Sequence, residues 1–441
     1  MKLSQLEALV GAEQLIPPEQ NSYYRLVGVA PLPVVRVRTL EQLAEVVRFA
    51  AKEKLALLPV GGGTKLEIGN LPRQADLFLS TSLMDLVLAH EAADLTTTVQ
   101  AGCTLERLQE TISQQGQFLP IDAPYSRRAT IGGVVATASH GSLRFSLGTP
   151  RDWLIGIKVV NADGKITKAG GKVVKNVAGY DLMKLYTGSF GTLAVIAELN
   201  FKLRPRPAAD ATLIGVFNDR GSLFQAVARL TESQLLPAAL DLISAGALAS
   251  CFPEANIGQA DYPLAARFLG SPEAVAAQCQ YLLELWGKLA REVISITTSS
   301  AQSWRRVVDF PEQYQHQICL RIAVLPTQLQ AMLALIEQEL APLAKQWQMI
   351  AQMNGIVRVF LTVEEEFSQL ELTRWQRAVA TLRAFCVVEK GAVVIERAPL
   401  EMKRQIDAWG DPPAAVALMR TIKDRLDPIN IFNPGRFVAG L

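Results

Sequence analysis

Histidine, clustered cysteine and any excess of one charge are all scarce in this chain, and each shortage excludes something. There are three histidines, His90, His140 and His316, so candidates for a base that titrates near neutral pH are few. The five cysteines, Cys103, Cys251, Cys279, Cys319 and Cys386, are scattered without a CxxC pair. That argues against an iron–sulfur cluster or zinc site within the chain and for buried thiols in a reducing cytosol. Lys plus Arg number 44 against 42 Asp plus Glu, a net charge of +2 that gives no reason to expect nucleic acid or an anionic membrane as partner. No uninterrupted apolar run reaches the roughly 18 residues a spanning helix needs, so no membrane span is expected. The start, Met1 to Glu7, is amphipathic and lacks a secretory apolar region. The expectation is a soluble cytoplasmic protein.

What the chain does have is apolar residues and glycine loops. At 49% hydrophobic and 20% charged it can build full cores, and 441 residues suit about three domain-sized units or two larger ones. After a leader (1–30), Val34 to Val37 reads as a strand, Thr39 as the cap of a helix to about Glu53, and Leu55 to Leu58 as a second strand. That strand runs into Pro59-Val60-Gly61-Gly62-Gly63-Thr64-Lys65. Alone, such a run reads as easily as a flexible turn, and it fails the Walker spacing. Strands are expected at Leu77–Ser80, Leu86–Glu91 and Thr96–Gln100, then a helix capped by Thr104.

A second loop changes the reading. Thr130-Ile131-Gly132-Gly133 opens a helix about 70 residues after the first loop, and a third loop, Gly188 to Thr192, precedes a strand. Two glycine loops, each with uncovered amide groups, can wrap one extended diphosphate. Between the second and third loops lie a hairpin turning at Asn161-Ala162-Asp163-Gly164, then Gly170-Gly171-Lys172 and Lys175 to Leu182.

The ordered motifs Pro59-x-Gly-Gly-Gly-Thr64, Pro120-x-Asp122-x-Pro124, Ala129-Thr-Ile-Gly-Gly133, Arg151-Asp152, Gly179-Tyr-Asp-Leu182 and Gly188-Ser-x-Gly-Thr192 resemble the FAD-binding (PCMH-type) domain of the vanillyl-alcohol oxidase / para-cresol methylhydroxylase superfamily. The tail Asp427 to Arg436, with Asn433-Pro434-Gly435, fits as well. Within the superfamily the chain is similar to the 2-hydroxy acid branch, most of all to the E-type FAD-binding subunits of glycolate oxidase. The resemblance covers residues 33–207 best, then the last 40, and the middle least.

The resemblance implies an α+β fold: a two-subdomain PCMH-type FAD-binding domain (31–207), a ferredoxin-like α+β cap domain (208–398), and a C-terminal segment (399–441) returning to the FAD domain. The strand–helix–strand recurrences across 208–398 suit two ferredoxin-like units in one sheet, with a helix from Glu364 to Phe385 and a last strand from Cys386 to Ile395. It implies FAD, with Gly61, Gly62, Gly63, Thr64, Gly132 and Gly133 at the pyrophosphate and Gly191, Thr192 and Ile196 towards the adenosine. Pro59, Pro120, Asp122, Thr130, Ile131, Ala136, Gly188 and Asn433 join the cofactor set by motif. Asp122 and Asp152 read equally as turn or cap residues. Some members tether the flavin through histidine or cysteine in the first loop; Gly63-Thr64 stands there, so non-covalent FAD is expected.

His140, just after the second loop, is a candidate catalytic base or a loop histidine bonded to backbone. Arg321 and Arg358 each interrupt an apolar strand, either to hold a substrate carboxylate or to snorkel at an edge. Arg305 and Arg306 are weaker candidates for the same task. The histidine motif that stand-alone 2-hydroxy acid dehydrogenases of the superfamily carry in the cap is absent. The resemblance therefore implies an enzyme subunit that oxidises glycolate or a related 2-hydroxy acid, with a second FAD subunit and an iron–sulfur subunit as partners. A stand-alone FAD-dependent 2-hydroxy acid dehydrogenase and a non-catalytic flavin-binding structural subunit remain the alternatives.

Overall fold

Three threonines begin helices in the same way. The Thr39, Thr104 and Thr130 hydroxyls accept from the backbone N–H three residues on, at Gln42, Arg107 and Gly133, and start the helices Leu40–Glu53, Leu105–Ser113 and Ile131–Ala136. Leu43, Val46, Val47 and Ala50 form the buried stripe of the first. These elements belong to a computed structural model that describes residues 3–171, 180–257, 262–364, 367–388 and 390–441. The chain divides into two units, one of Met1–His140, Thr149–Arg206 and Asp411–Leu441, the other of Gly141–Gly148 and Pro207–Gly410.

The first unit has two main sheets. One runs Leu15–Ile16, Val34–Arg36, Leu77–Ser80, Leu57–Val60, its last three strands parallel. The other is antiparallel, in the order Val87–Glu91, Thr96–Gln100, Val195–Lys202, Leu154–Val160, Ile166–Gly170. The N-terminal residues expected to be a leader are built into the fold. Leu3–Val10 is a helix that buries Leu6 and Val10, and Leu15–Ile16 pairs with Val34–Val35. The tail enters the parallel sheet, where Leu57 N–H donates to Ile431 O (2.7 Å) and Asn433 N–H donates to Leu57 O (3.0 Å).

The second unit holds an eight-stranded antiparallel sheet in the order Glu292–Ile296, Ala209–Phe217, Tyr262–Gly270, Ala239–Ile243, Gln346–Gln352, Ile356–Thr362, Ile318–Ala323, Ala392–Arg397. Each half follows strand–helix–strand–strand–helix–strand, the ferredoxin-like pattern. Helices Arg220–Glu232, Pro272–Trp286, Leu329–Leu340 and Gln369–Val388 cover one face through Leu223, Leu282, Met332 and Leu382. Two shorter helices, Ala245–Cys251 and Ser300–Val308, cover part of the other through Leu248 and Trp304.

Several expectations need correcting. Cys386 lies in the last turn of a helix that runs to Val388 instead of opening a strand, because its side chain continues the buried stripe of Val379 and Leu382, and the strand starts only at Ala392. Gly391 makes that break: a Cβ there would lie 2.3 Å from Ala323 O. The helix expected from Glu364 begins at Gln369, and helices Ala245–Cys251, Ser300–Val308 and Val416–Leu426 were not anticipated. The expected run Lys172 to Gly179 lies outside the described residues, while Asp181 caps the helix Leu182–Tyr186 by accepting from Lys184 N–H.

Candidate active site

The first and second glycine loops touch. A Cβ on Gly61 would lie 1.9 Å from Thr130 Oγ1, and one on Gly62 would lie 1.6 Å from Arg128 O, so only glycine lets the two backbones approach this closely. Tyr24 Oη–H donates to Gly61 O (2.6 Å), which holds the first loop from behind. Gly63 turns that loop at φ +67, and Gly191 turns the third at φ +63. Beside the paired loops, within the first unit, lies a cavity.

Its walls come from four stretches: Pro59 to Leu66 with Ile68, Thr130 to Thr137, Phe190 to Ile196, and the tail residues Asn433 and Arg436. Thr81 and Ala101 close it. Of the expected cofactor residues, Pro59, Gly61, Gly62, Gly63, Thr64, Thr130, Gly132, Gly133, Ala136, Gly191, Ile196 and Asn433 line it together. Pro120, Asp122, Ile131, Gly188 and Thr192 do not. Ile131 is buried in the core behind, Gly188 N–H donates to Val135 O (3.0 Å), and Thr192 Oγ1 donates to Ser189 O (2.7 Å), so they shape the loops from within. Asp152 is a cap, its carboxylate accepting from Thr149 N–H (2.7 Å) and Oγ1–H (2.8 Å).

The wall suits a diphosphate-bearing guest in three ways. Among the described residues it carries two cations, Lys65 and Arg436, and no carboxylate. Burial pushes the Arg436 guanidinium down to about 10, which leaves it charged at neutral pH. Gly133 is open towards the cavity, since a Cβ there would meet only Thr130 Oγ1 at 3.3 Å. Asn433 is buried and donates through Nδ2 to Phe190 O (2.7 Å), while its Oδ1 has no hydrogen-bond partner. An orphaned buried acceptor is costly unless a ligand donor completes it.

The two cations of the wall, Lys65 and Arg436, stand outside the expected cofactor set. Arg436 Nη2 donates to Leu66 O (2.5 Å) and Ile68 O (2.8 Å), fastening the tail to the stretch after the first loop. Only the basic residue following Asn433-Pro434-Gly435 signalled it in the sequence. A buried ion pair anchors the same tail. Lys423 Nζ donates to Asp427 Oδ2 (2.6 Å), Thr192 O (2.8 Å) and Phe432 O (3.0 Å), and Asp427 accepts from Ile431 and Phe432 N–H. Burial lowers the Lys423 pKa from the ordinary lysine value, and Asp427 opposes that shift.

The histidines are placed apart from this cavity's wall. His140 is buried and does not line it. His90 Nε2 bonds Gln117 Oε1 (3.0 Å), and His316 Nδ1 bonds Tyr314 O (2.7 Å). Burial raises the Cys103 thiol to about 11, Cys251 to about 12 and Cys386 to about 11, so these thiols stay protonated.

Arg321 and Arg358 come together in the second unit. They sit directly opposite each other on interior strands, and both reach Glu396: Arg321 Nε lies 3.0 Å from Oε1, and Arg358 Nε lies 3.6 Å from Oε2. Neither is on a sheet edge. Arg305 pairs with Asp309 and Arg306 with Glu254. Among the described residues no group of three or more His, Cys, Asp and Glu is placed to hold a metal ion, and no helix is long and apolar enough to cross a membrane.

Comparison with known proteins agrees with this geometry. The chain is 25% identical over 423 residues to glycolate oxidase subunit GlcD of Bacillus subtilis, covering 93% of this chain and 89% of that one. It is 28% identical over 425 residues to D-2-hydroxyglutarate dehydrogenase of Xanthomonas citri pv. viticola, covering 92% and 89%. The solved structure of p-cresol methylhydroxylase with substrate bound shares the fold at a TM-score of 0.76 and 16% identity, covering 98% of this chain and 95% of that one. Residues 31–170 match the family of FAD binding domains, and residues 206–437 match the C-terminal domain of the FAD-linked oxidases. With over half its length in that second match, the chain belongs to the FAD-linked oxidases, flavoproteins of the PCMH-type fold that bind FAD.

Proposed function

We propose that the chain is a subunit of a glycolate-oxidising complex and that it oxidises glycolate, or a related 2-hydroxy acid, to the 2-oxo acid. The observation that carries this reading is the Arg321–Arg358 pair, two guanidiniums fixed by one carboxylate on a single sheet face of an FAD-linked oxidase. Guanidinium matches carboxylate in a planar two-point contact. Bound FAD would supply the acceptor for the hydride that leaves C2 with its electron pair. The arginines hold the substrate by its carboxylate, so that C2 and its hydroxyl keep one orientation. His140 is the candidate within this chain to receive the hydroxyl proton, and because it does not line the cavity a partner subunit's histidine is expected to take that role in the complex. Gly61, Gly62, Gly63 and Thr64 would hold the pyrophosphate through backbone amides, while Gly132 and Gly133, whose amides donate to Ala101 O and Thr130 Oγ1, would leave room for it, with Lys65 and Arg436 as countercharges. Net, the substrate loses two electrons and two protons.

Support for the hydroxy acid comes from relatives named as a glycolate oxidase subunit and a D-2-hydroxyglutarate dehydrogenase. The second of these, matched over nearly its whole length, also favours the alternative of a dehydrogenase acting alone. The expected outcome is that Arg321→Ala or Arg358→Ala leaves FAD content unchanged and weakens glycolate binding, measured calorimetrically, by roughly 2–5 kcal/mol. Unchanged binding in both variants would make the arginines structural.

The FAD is proposed to be held without a covalent bond, since among the described residues the cavity wall contains no histidine or cysteine. Acid precipitation should then release all flavin into the supernatant, and flavin left on the pellet would overturn this.

A further inference from the structure

The two arginines occupy the centre of a longer polar strip. On the sheet face opposite Leu223 and Leu282, strand alternation places Asp241, Gln352, Arg358, Arg321 and Glu396 on five successive strands. The registers that do so are Asp241 opposite Gln352, Ile350 opposite Arg358, Arg358 opposite Arg321, and Val394 opposite Arg321, with Glu396 two residues beyond Val394. The strip therefore runs acid, amide, guanidinium, guanidinium, acid.

Three details mark it as built for a ligand. Like charges directly opposite each other on paired strands oppose folding, and here the shared Glu396 offsets them. Glu396 stands at a register shift, between Ile395 opposite Leu320 and Arg397 opposite Cys319, where an extra residue re-aims a side chain. Gln352 is buried, diagonal to Arg358, and its Oε1 has no hydrogen-bond partner. Asp241, at the far end, is fully buried and accepts from Ser142 Oγ–H at 2.5 Å.

We propose that this strip selects small monocarboxylates that carry a hydroxyl beside the carboxylate, with Glu396 turning away dicarboxylates. The inference rests on the 2-hydroxy acid reading above and narrows it. One carboxylate meets the guanidinium pair, and the neighbouring hydroxyl donates to Gln352 Oε1. A second carboxylate, a few ångströms along the strip, meets Glu396. Glu396 is thus a positioning residue for both arginines and the source of discrimination.

Calorimetric titration of the full-length, FAD-loaded protein with glycolate, acetate and 2-hydroxyglutarate tests this. Wild type should bind glycolate at least about tenfold more tightly than 2-hydroxyglutarate. Glu396→Gln should shrink or invert that ratio, while Glu396→Asp, which keeps the charge, should preserve it. Gln352→Leu should erase the advantage of glycolate over acetate, which lacks the hydroxyl. A ratio unmoved by Glu396→Gln, or a wild-type preference for the dicarboxylate, overturns the inference while leaving the 2-hydroxy acid reading in place. Failure of the wild type to bind any hydroxy acid overturns both.

Discussion

Replacing Gly133 with Asp is expected to abolish FAD binding while leaving the fold intact. Gly133 does not have a positive φ, and a Cβ there would meet only Thr130 Oγ1 at 3.3 Å, so the backbone accepts a side chain. The added carboxylate would enter the cavity beside amides proposed to face the pyrophosphate. A like charge about 4 Å away costs roughly 4 kcal/mol at an effective dielectric near 20, nearly three orders of magnitude in affinity. Gly133→Ala is the control and should keep its flavin. Gly62→Ala would be uninformative, because its Cβ would lie 1.6 Å from Arg128 O and must disturb the loop itself. The measurement is flavin absorbance per protein after gel filtration, with circular dichroism as the check on folding. Stoichiometric FAD on the Asp variant would place the pyrophosphate elsewhere.

The second large effect concerns partners. Alone, the chain is expected to bind FAD yet reduce an artificial dye with glycolate at little above background. His90 and His316 are engaged away from the cavity, His140 does not line it, and the described residues hold no metal-ligand cluster to carry electrons onward. A missing general base alone is worth roughly 10²–10⁴-fold in rate. The proposed complex would fill both gaps, a second FAD subunit supplying histidines and an iron–sulfur subunit taking the electrons. Adding those subunits should restore turnover, and Gly133→Asp in this chain should lower it again. Full activity from the isolated chain would favour the stand-alone dehydrogenase. A reconstituted complex indifferent to loss of this chain's flavin would favour a structural role.

Features that depend on near neighbours along the chain are legible in the sequence alone. Thr39, Thr104 and Thr130 cap helices because their hydroxyls reach only three residues ahead. Asn161 to Gly164 turns a hairpin because Gly164 N–H donates back to Asn161 O (2.8 Å) at φ +73. The glycine loops are readable in the same way, as places where the chain dispenses with side chains. Expectations fail where local signals are neutral. Cys386-Val387-Val388 suits a strand by composition, and only the packing of Cys386 against the helix-side core, with Val387 and Val388 left exposed, makes it the end of a helix.

The amino-acid order by itself therefore determined the glycine loops, the family and the alternation that makes each strand two-faced. The tertiary structure decided which faces meet. Glu396 lies 75 residues from Arg321, and nothing local in either strand names the other as its partner. Arg436 reaches carbonyls 370 and 368 residues away, and so becomes part of a cavity whose first wall is at Pro59. Such contacts depend on strand order and register, which are set by burying whole apolar faces together, and a buried charge then takes whichever polar groups that burial brings within reach.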